Sequence, residues 1–283
     1  MHYPRMKQAN ASDDWVTLKG PIKPVDIRAL RALGHIEKLS ITDSPLLTAK
    51  AAQAFTALPS VSWLWLWCEV TRTAMRSVIG VQGLRVLDVL SITAPGKLER
   101  FASATSLETF RGNHYLSEED LLKVTTCKSL RELGAQNASL SPRVIEALLS
   151  LPKLESLDLE ATVFDDEMAK KISSSTGLLS LDVGATRLTR RGLLHICQMQ
   201  QLRSLDLWAT RIEEQDIELL CDLPNLEYLS IGDIEGSSKF NAEALLPRLA
   251  AIRSLQRVWL DGIGVTSHQK AELEARFSTV RVT

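Results

Sequence analysis

Residues 154–164 read LESLDLEATVF, and the pattern returns as LLSLDVGATRL over 178–188 and LRSLDLWATRI over 202–212. Each stretch has apolar residues at its first, fourth and sixth positions and a threonine three residues after the third of them. Similar triplets begin at ten positions, namely Ile36, Val61, Leu84, Leu107, Leu130, Leu154, Leu178, Leu202, Leu226 and Leu255. Successive triplets start 25, 23, 23, 23, 24, 24, 24, 24 and 29 residues apart. This fixed period in the twenties indicates a solenoid of stacked repeats.

Within each repeat the apolar spacing changes from two residues to three. The first part has the period of a strand, and the later apolar pair lies on one face of a helix. Ser117 to Asp120 reads as a capping box, and Ser141-Pro142 reads as a helix start. We therefore predict an α/β solenoid of about ten repeats, a horseshoe with parallel strands on the concave face and helices on the convex face.

The form Leu-x-x-Leu-x-Leu-x-x-Thr-x-apolar resembles the leucine-rich-repeat family and is similar to its bacterial and F-box-type repeats. The resemblance covers residues 14–283 and implies binding of another protein on the concave face, as in substrate adaptors, inhibitors and receptors. No F-box-like segment precedes the repeats, which disfavours a ubiquitin-ligase adaptor. Gly112 and Ala135 depart from the pattern because the third apolar residue is small there, and they predict looser or tilted strands.

Both ends of such an array need covers, because a terminal repeat cannot bury its own apolar face. We expect one domain over 14–283, with an N-terminal cap at 14–35 and a C-terminal cap at 266–283. The predicted cap elements are a strand at 15–18, a helix at 26–33, a helix at 271–277 and a strand at 280–282. Residues 1–13 form a separate segment, with disorder or a fold over the repeats as the alternatives. The long interval before Leu255 predicts an insertion within 232–239.

The formal charge is −1, whereas proteins that bind nucleic acids or anionic membranes are normally basic. We therefore expect neither kind of partner. Residues 51–68 carry no charge, but Pro59 and the period of two in the second half predict a helix followed by a strand rather than a membrane span. Arg5 and Lys7 are not followed by an apolar run, so we expect no secretory signal.

Cys197 and Cys221 are 24 residues apart and occupy equivalent sites on neighbouring repeats. Packed helices lie about 8–10 Å apart, and a disulfide needs Cα atoms within about 7 Å. We expect two buried thiols, a reducing compartment and thus a cytoplasmic location.

Residues between and just after each apolar triplet point away from the core and form three columns on the concave face. Five of the six tryptophans fall in these columns, and Trp15 joins them if the first strand is placed correctly. Tryptophan is enriched at interface hot spots, so we predict a protein partner here. The predicted contact residues are Trp63, Trp65, Trp67, Asp88, Arg111, Glu132, Asp158, Glu160, Asp182, Asp206, Trp208, Tyr228 and Trp259. The alternatives are a register slip that turns the tryptophans inward and coverage by residues 1–13.

The same columns hold seven acidic residues against three basic ones, with Asp158, Asp182 and Asp206 on adjacent strands. Opposed like charges destabilise a sheet, which favours a partner with a basic and apolar surface. The alternative is a carboxylate row generic to this repeat type and screened by water and salt. Calcium is a further candidate because it takes oxygen ligands, but no loop supplies a set of coordinating carbonyls. We therefore predict no metal.

Motifs for catalysis or cofactor binding are missing from the sequence, and the five histidines fall in unrelated positions. Asp158 and Glu160 share a face at a separation that glycosidase carboxyl pairs also show, which leaves a hydrolase as a remote alternative. A shallow sheet does not exclude water, so we predict a protein that is not an enzyme and needs no cofactor. The two functions that fit are a cytoplasmic inhibitor or immunity protein and an adaptor or effector scaffold that recruits a client.

Overall fold

A parallel β-sheet runs through the part of the chain that the computed structural model describes, residues 15–93, 97–112, 116–233 and 239–283. Twelve strands of this part pair in chain order, and one short strand, β3, pairs with β4 beside them. The strands are β1 (Trp15–Lys19), β2 (His35–Thr42), β3 (Leu46–Leu47), β4 (Ser60–Thr71), β5 (Val86–Thr93), β6 (Thr109–Gly112), β7 (Glu132–Gly134), β8 (Ser156–Asp158), β9 (Ser180–Asp182), β10 (Ser204–Asp206), β11 (Tyr228–Gly232), β12 (Arg257–Asp261) and β13 (Thr279–Val282).

Helices connect these parallel strands, as parallel pairing requires a crossover between one strand and the next. The α-helices within the described ranges are α1 (Pro24–Ala29), α2 (Ala49–Ala52), α3 (Arg72–Ile79), α4 (Glu118–Val124), α5 (Pro142–Leu149), α6 (Asp166–Ile172), α7 (Arg190–Ile196), α8 (Ala242–Ala251) and α9 (Ser267–Arg276). Further 3-10 helices lie at Leu30–Leu33, Gln53–Ala57, Phe101–Ser103 and Glu214–Asp222. Apolar side chains from helices and strands form one core between them. We call the side of the sheet away from this core the open face.

The apolar triplets lie in the core, as the repeat pattern predicts. In β4, Leu64 and Leu66 are fully buried, while Trp63 and Trp65, which alternate with them, are half-buried on the other side. The strands pair in the register expected from the repeat, with Lys38 beside Trp63 and Leu39 beside Leu64. The register slip that would turn the tryptophans inward is therefore wrong. The predicted α/β solenoid with parallel strands is confirmed.

An alanine-threonine pair reverses the chain after each of three central strands. Ala161, Ala185 and Ala209 have φ values of 56°, 51° and 50°, in the left-handed region that non-glycine residues seldom adopt. The following threonine is buried and donates its Oγ1 hydrogen to the carbonyl oxygen three residues earlier, as Thr186 does to Val183 at 2.6 Å. In two of the three turns the same carbonyl also accepts the backbone N–H of the threonine, at 3.3 Å for Thr162 and for Thr210, so the hydroxyl adds a second hydrogen bond inside a buried turn.

Gly112 ends an ordered strand rather than a loose one. Its strand, β6, pairs in register with β5 over four residue pairs. A Cβ at Gly112 would lie 2.8 Å from the ring of Phe110 and 3.1 Å from Leu116. The Phe110 ring also packs edge-on against Phe101 at 5.0 Å. The small residue is needed because the aromatic ring fills its place, so the expectation of a looser strand at this position is wrong.

The ends of the array carry the predicted elements with shifted boundaries. At the N-terminus the first strand is present as β1, and the predicted helix is α1 followed by a 3-10 turn. At the C-terminus α9 begins at Ser267, earlier than predicted, because Thr266 and Gln269 form a capping box. The capping box at Ser117 and the cap at Ser141 are confirmed. Residues 1–13 and most of the predicted 232–239 insertion lie outside the described ranges.

The four cysteines are free thiols. Burial raises the pKa of Cys68 and of Cys197 to about 12. Cys221 is exposed, so the expectation that it is buried like Cys197 is wrong. Its helix is a 3-10 helix, in which residues do not repeat on the α-helical period. Among the described helices, none has the length and apolar character needed to cross a membrane.

Candidate protein-binding face

The predicted contact residues lie on the open face, where they alternate with the buried triplets. Strand pairing places Glu132, Ser156, Ser180 and Ser204 in one column and the three central aspartates in the next. Most of the predicted residues are half-buried. Asp88 is the exception because it is only 7% exposed.

Four tryptophans form a continuous aromatic surface at the N-terminal end of the open face. The ring of Trp15 lies 5.3 Å from that of Trp63 and 5.7 Å from that of Trp65, and Trp65 lies 5.7 Å from Trp67. All three pairs meet edge to face, an arrangement that aromatic quadrupoles favour. We call Trp15, Trp63, Trp65 and Trp67 the tryptophan cluster. Trp15 belongs to it because β1 pairs with β2 and brings the first strand close to β4.

A chain of polar contacts fixes the edge of this cluster. Trp63 Nε1 donates to Asp88 Oδ2 at 2.7 Å, and Arg111 Nη1 donates to Asp88 Oδ1 at 2.7 Å. Arg111 also donates to Glu132 Oε1 from Nε at 2.9 Å and from Nη2 at 2.6 Å. Burial lowers the pKa of Arg111, but the two carboxylates outweigh this effect and raise it. These residues are partners of one another, so the charge of Arg111 is neutralised within the face and the group keeps a net charge of −1.

The central strands carry the acidic cluster, which we define as Asp158, Glu160, Asp182 and Asp206. The three aspartates stand in register on β8, β9 and β10, about 4.8 Å apart from strand to strand. Each aspartate Oδ1 accepts the backbone N–H two residues later, at 3.0 Å from Glu160, 2.9 Å from Gly184 and 2.9 Å from Trp208. The aspartates therefore shape the turn after each strand, a structural role that the three repeats share.

Crowding of these carboxylates changes their acidity. Burial, together with the charge of Asp206, raises the pKa of Asp158 to about 6, although hydrogen bonds from Glu160 and Gln136 oppose the shift. Burial followed by the charges of Asp206 and Asp158 raises the pKa of Asp182 well above its ordinary value. The arrangement therefore favours a proton or a positively charged group near these oxygens.

The spacing of the acidic cluster is compatible with a cation but does not assign one. Oxygens of Asp158, Glu160 and Asp182 lie within 4.8 Å of one another, which suits ligands placed about 2.3–2.6 Å from a calcium ion. The amide nitrogen of Gln136, however, donates to Asp158 at 2.7 Å and to Glu160 at 3.1 Å. The amide nitrogen of Gln136, a hydrogen-bond donor, therefore already contacts two of the carboxylates that would have to bind the cation. The absence of a metal stays a prediction.

The C-terminal end of the open face combines aromatic and basic side chains. Tyr228 and Trp259 meet edge to face at 5.4 Å. The guanidinium carbon of Arg257 lies 5.5 Å from the Tyr228 ring centroid, and that of Arg281 lies 4.9 Å from the Trp259 centroid. We call these four residues the arginine-aromatic cluster. Trp208 lies between this cluster and the acidic cluster, two residues after Asp206.

The sequence analysis did not predict Arg281 and Gln136 as contact residues, whereas it placed Trp15 with the other tryptophans on the condition that the first strand is correct, and that strand is present as β1. Arg281 lies directly beside Trp259 because β12 and β13 pair in parallel. Its position between Val280 and Val282 in a predicted strand is a usable signal, since alternate residues face opposite sides. Gln136 occupies a predicted column, but nothing in the sequence indicates that its amide contacts two carboxylates.

Two cavities in the described part of the molecule lie away from the acidic cluster. One of about 470 Å³ is lined by residues near the starts of α8 and α9, such as Asn241 and Gln269, and one of about 570 Å³ by residues such as Arg190 and Arg211. Neither is lined by Asp158 or Glu160. The hydrolase alternative therefore gains no support from these cavities, because an enclosed site is what would exclude water.

Comparison with known proteins shows the fold. An internalin (inlF) from Listeria monocytogenes is similar over 95% of this chain and 82% of that chain, with 17% identity and a TM-score of 0.56. TLR13, solved in a complex with ssRNA13, is similar over 88% of this chain and 46% of that chain, with 17% identity and a TM-score of 0.51. This chain has a leucine-rich-repeat solenoid fold. No protein-family model and no curated protein matches it.

Proposed function

We propose that the open face binds another protein, with the tryptophan cluster as its apolar anchor. The observation that carries this proposal is that four tryptophan rings contact one another and remain half-buried on the same side of the sheet. A tryptophan can bury about 150–250 Å², and apolar patches of several hundred Å² on soluble proteins usually mark interaction sites. Val163, in the turn before α6, and Leu194, on α7, are also exposed and apolar, but they belong to other repeats than these rings.

The acidic cluster supplies the second element of the proposal. Asp158 and Asp182 have raised pKa values because they are crowded and partly desolvated. A basic group on the partner would relieve that repulsion and would speed the encounter through long-range attraction. The predicted partner therefore has both an apolar and a basic patch. A rigid sheet loses little entropy on binding, which favours affinity.

Two biological roles fit this surface, and we place the chain in the cytoplasm for both. In the first it is an inhibitor or immunity protein that occupies a basic enzyme or toxin. In the second it is an adaptor or effector scaffold that recruits a client. An inhibitor abolishes the partner's activity at a one-to-one ratio, whereas an adaptor forms a three-component complex with the partner still active. These outcomes distinguish the two roles once a partner is purified.

Trp65→Ala tests the anchor most directly. Trp65 contacts Trp15 and Trp67 through its ring, and, although it pairs with Asp88 across the strands, the indole hydrogen bond to Asp88 comes from Trp63. The purified partner should bind this variant about 2 kcal/mol more weakly, near a thirtyfold change in Kd. Leu194→Ala, which removes an exposed apolar side chain from α7, should leave the affinity unchanged. Equal affinity of the wild type and a variant with Trp63, Trp65 and Trp67 all replaced would rule out the anchor.

A further inference from the structure

Charges of opposite sign are separated along the open face. Toward its N-terminal part, Arg111 pairs with both Asp88 and Glu132, and the three residues together carry a net charge of −1. The acidic cluster follows on β8 to β10. Beyond it, β12 and β13 bring Arg257 and Arg281 to the same face. The face is therefore negative at its centre and positive at its C-terminal end.

Arg257 and Arg281 each stack on an aromatic ring, and their side chains remain accessible to solvent. Both side chains are exposed, and each lies over an aromatic ring at a cation–π distance. Within the described ranges, neither arginine forms an ion pair with a carboxylate. Asp261, two residues beyond Trp259, is buried and accepts a hydrogen bond from Thr283. Stacking on Tyr228 and Trp259 restricts the guanidinium groups, so less entropy is lost when they bind.

We infer that the arginine-aromatic cluster binds an acidic segment of the partner protein. This inference rests on the proposed function and adds a second contact of opposite charge to it. A guanidinium group binds a carboxylate through two parallel N–H bonds, and two adjacent arginines suit two neighbouring acidic side chains. A nucleic acid is the less suitable anion, because its continuous negative charge would also meet the acidic cluster. A protein can carry both signs of charge in the required order.

The distance between the two clusters sets the layout of the partner. From Asp206 on β10 to β12 and β13 there are two and three strand spacings, and from Asp182 on β9 there are three and four, which amounts to about 10–19 Å. Screening in about 0.1 M salt acts over about 10 Å, which weakens the influence of each cluster on charged groups bound at the other. The partner should therefore present a basic group and an acidic group about 10–19 Å apart, rather than a uniformly basic surface.

A fluorescent hexaglutamate peptide, followed by anisotropy in about 0.1 M salt, tests the inference without the natural partner. The wild type should bind it at least tenfold more tightly than Arg257→Gln/Arg281→Gln. The control, Arg253→Gln/Arg276→Gln, has the same change in net charge at exposed positions on the loop after α8 and the end of α9. Its affinity should stay within twofold of the wild type. Equal losses in both double variants, or no difference between the wild type and the first, would overturn the inference.

Trp259→Leu and a nucleic-acid probe test the role of the ring and the choice of partner. Trp259→Leu keeps the charge but removes the ring under Arg281, and it should weaken peptide binding severalfold. A labelled oligothymidylate of equal charge should bind more weakly than the peptide, and tighter arginine-dependent binding would overturn the choice of partner. Trp65→Ala should bind hexaglutamate like the wild type. Arginine-dependent hexaglutamate binding can therefore be observed even if Trp65→Ala does not weaken binding of the partner. Likewise, Trp65→Ala can weaken binding of the partner even if hexaglutamate does not bind, so the two proposals fail separately.

Discussion

The indole nitrogen of Trp63 donates a hydrogen bond of 2.7 Å to the carboxylate of Asp88 on the neighbouring strand. This bond satisfies the one polar atom of the indole and leaves its apolar ring available to Trp15. Asp88 therefore holds Trp63 in its position within the tryptophan cluster. Asp88 is predicted from the sequence as a contact residue, but its burial gives it a positioning role.

Asp88→Asn should destabilise the fold and loosen Trp63. The amide can present its oxygen to the indole or to Arg111, and its NH₂ group then faces the other donor. A buried donor without an acceptor costs about 1–3 kcal/mol. Urea unfolding should show this loss, and the tryptophan emission of the folded protein should shift to longer wavelength. Asp222→Asn changes an exposed residue and should show neither effect, whereas unchanged stability of Asp88→Asn would contradict the supporting role.

Asp182→Asn should stabilise the protein at pH 7. In the wild type the pKa of Asp158 is raised to about 6, and that of Asp182 is raised as well. Above about pH 4, where free aspartates lose their protons, and up to these raised values, the folded state therefore binds more protons than the unfolded chain. Their contribution to the free energy of unfolding therefore falls as pH rises through that window. Removal of one charge should raise stability at pH 7 by about 1–2 kcal/mol, and the Asn Oδ1 can still accept the Gly184 N–H.

The gain from Asp182→Asn should shrink toward about pH 4, where the wild-type carboxyls are protonated. Urea unfolding of both proteins at a series of pH values measures this difference. Asp222→Asn has the same change in charge away from the open face and serves as its control. A gain that stays constant from about pH 4 to pH 7 would show that the acidic cluster does not titrate in this window.

Gly192→Ala should destabilise the packing of α7 against α6. A Cβ there would contact Leu188 and would lie 2.6 Å from Asp166 Oδ1 and 3.1 Å from Asp166 Cα. Asp166 Oδ1 already accepts the Thr189 backbone N–H at 2.9 Å, so a shift of Asp166 away from the new Cβ would break this hydrogen bond. Overpacking costs about 1–3 kcal/mol, partly offset by the better helix propensity of alanine. Gly264→Ala meets no atom within 4 Å and should be neutral in the same thermal or urea unfolding assay.

Much of the candidate site follows from the strand period. Because side chains alternate across a strand, the positions of Leu64 and Leu66 in the core require Trp63 and Trp65 to lie on the open face. The same rule places Asp158, Asp182 and Asp206 on adjacent strands. The strand period does not predict which neighbouring group each side chain contacts. The bonds from Trp63 to Asp88 and from Gln136 to two carboxylates depend on rotamers and on side chains of neighbouring strands.

The amino-acid sequence by itself determined the solenoid, its register and the face on which the tryptophans and carboxylates lie, because each of these depends only on a repeated local period. The tertiary structure alone decided that Asp88 is buried, that Gln136 contacts two carboxylates, and that Arg281 lies beside Trp259. These outcomes depend on contacts between residues distant in the chain. The energies of these contacts depend on burial and on hydrogen-bond geometry in the folded protein, and these cannot be deduced from the spacing of residues along the chain.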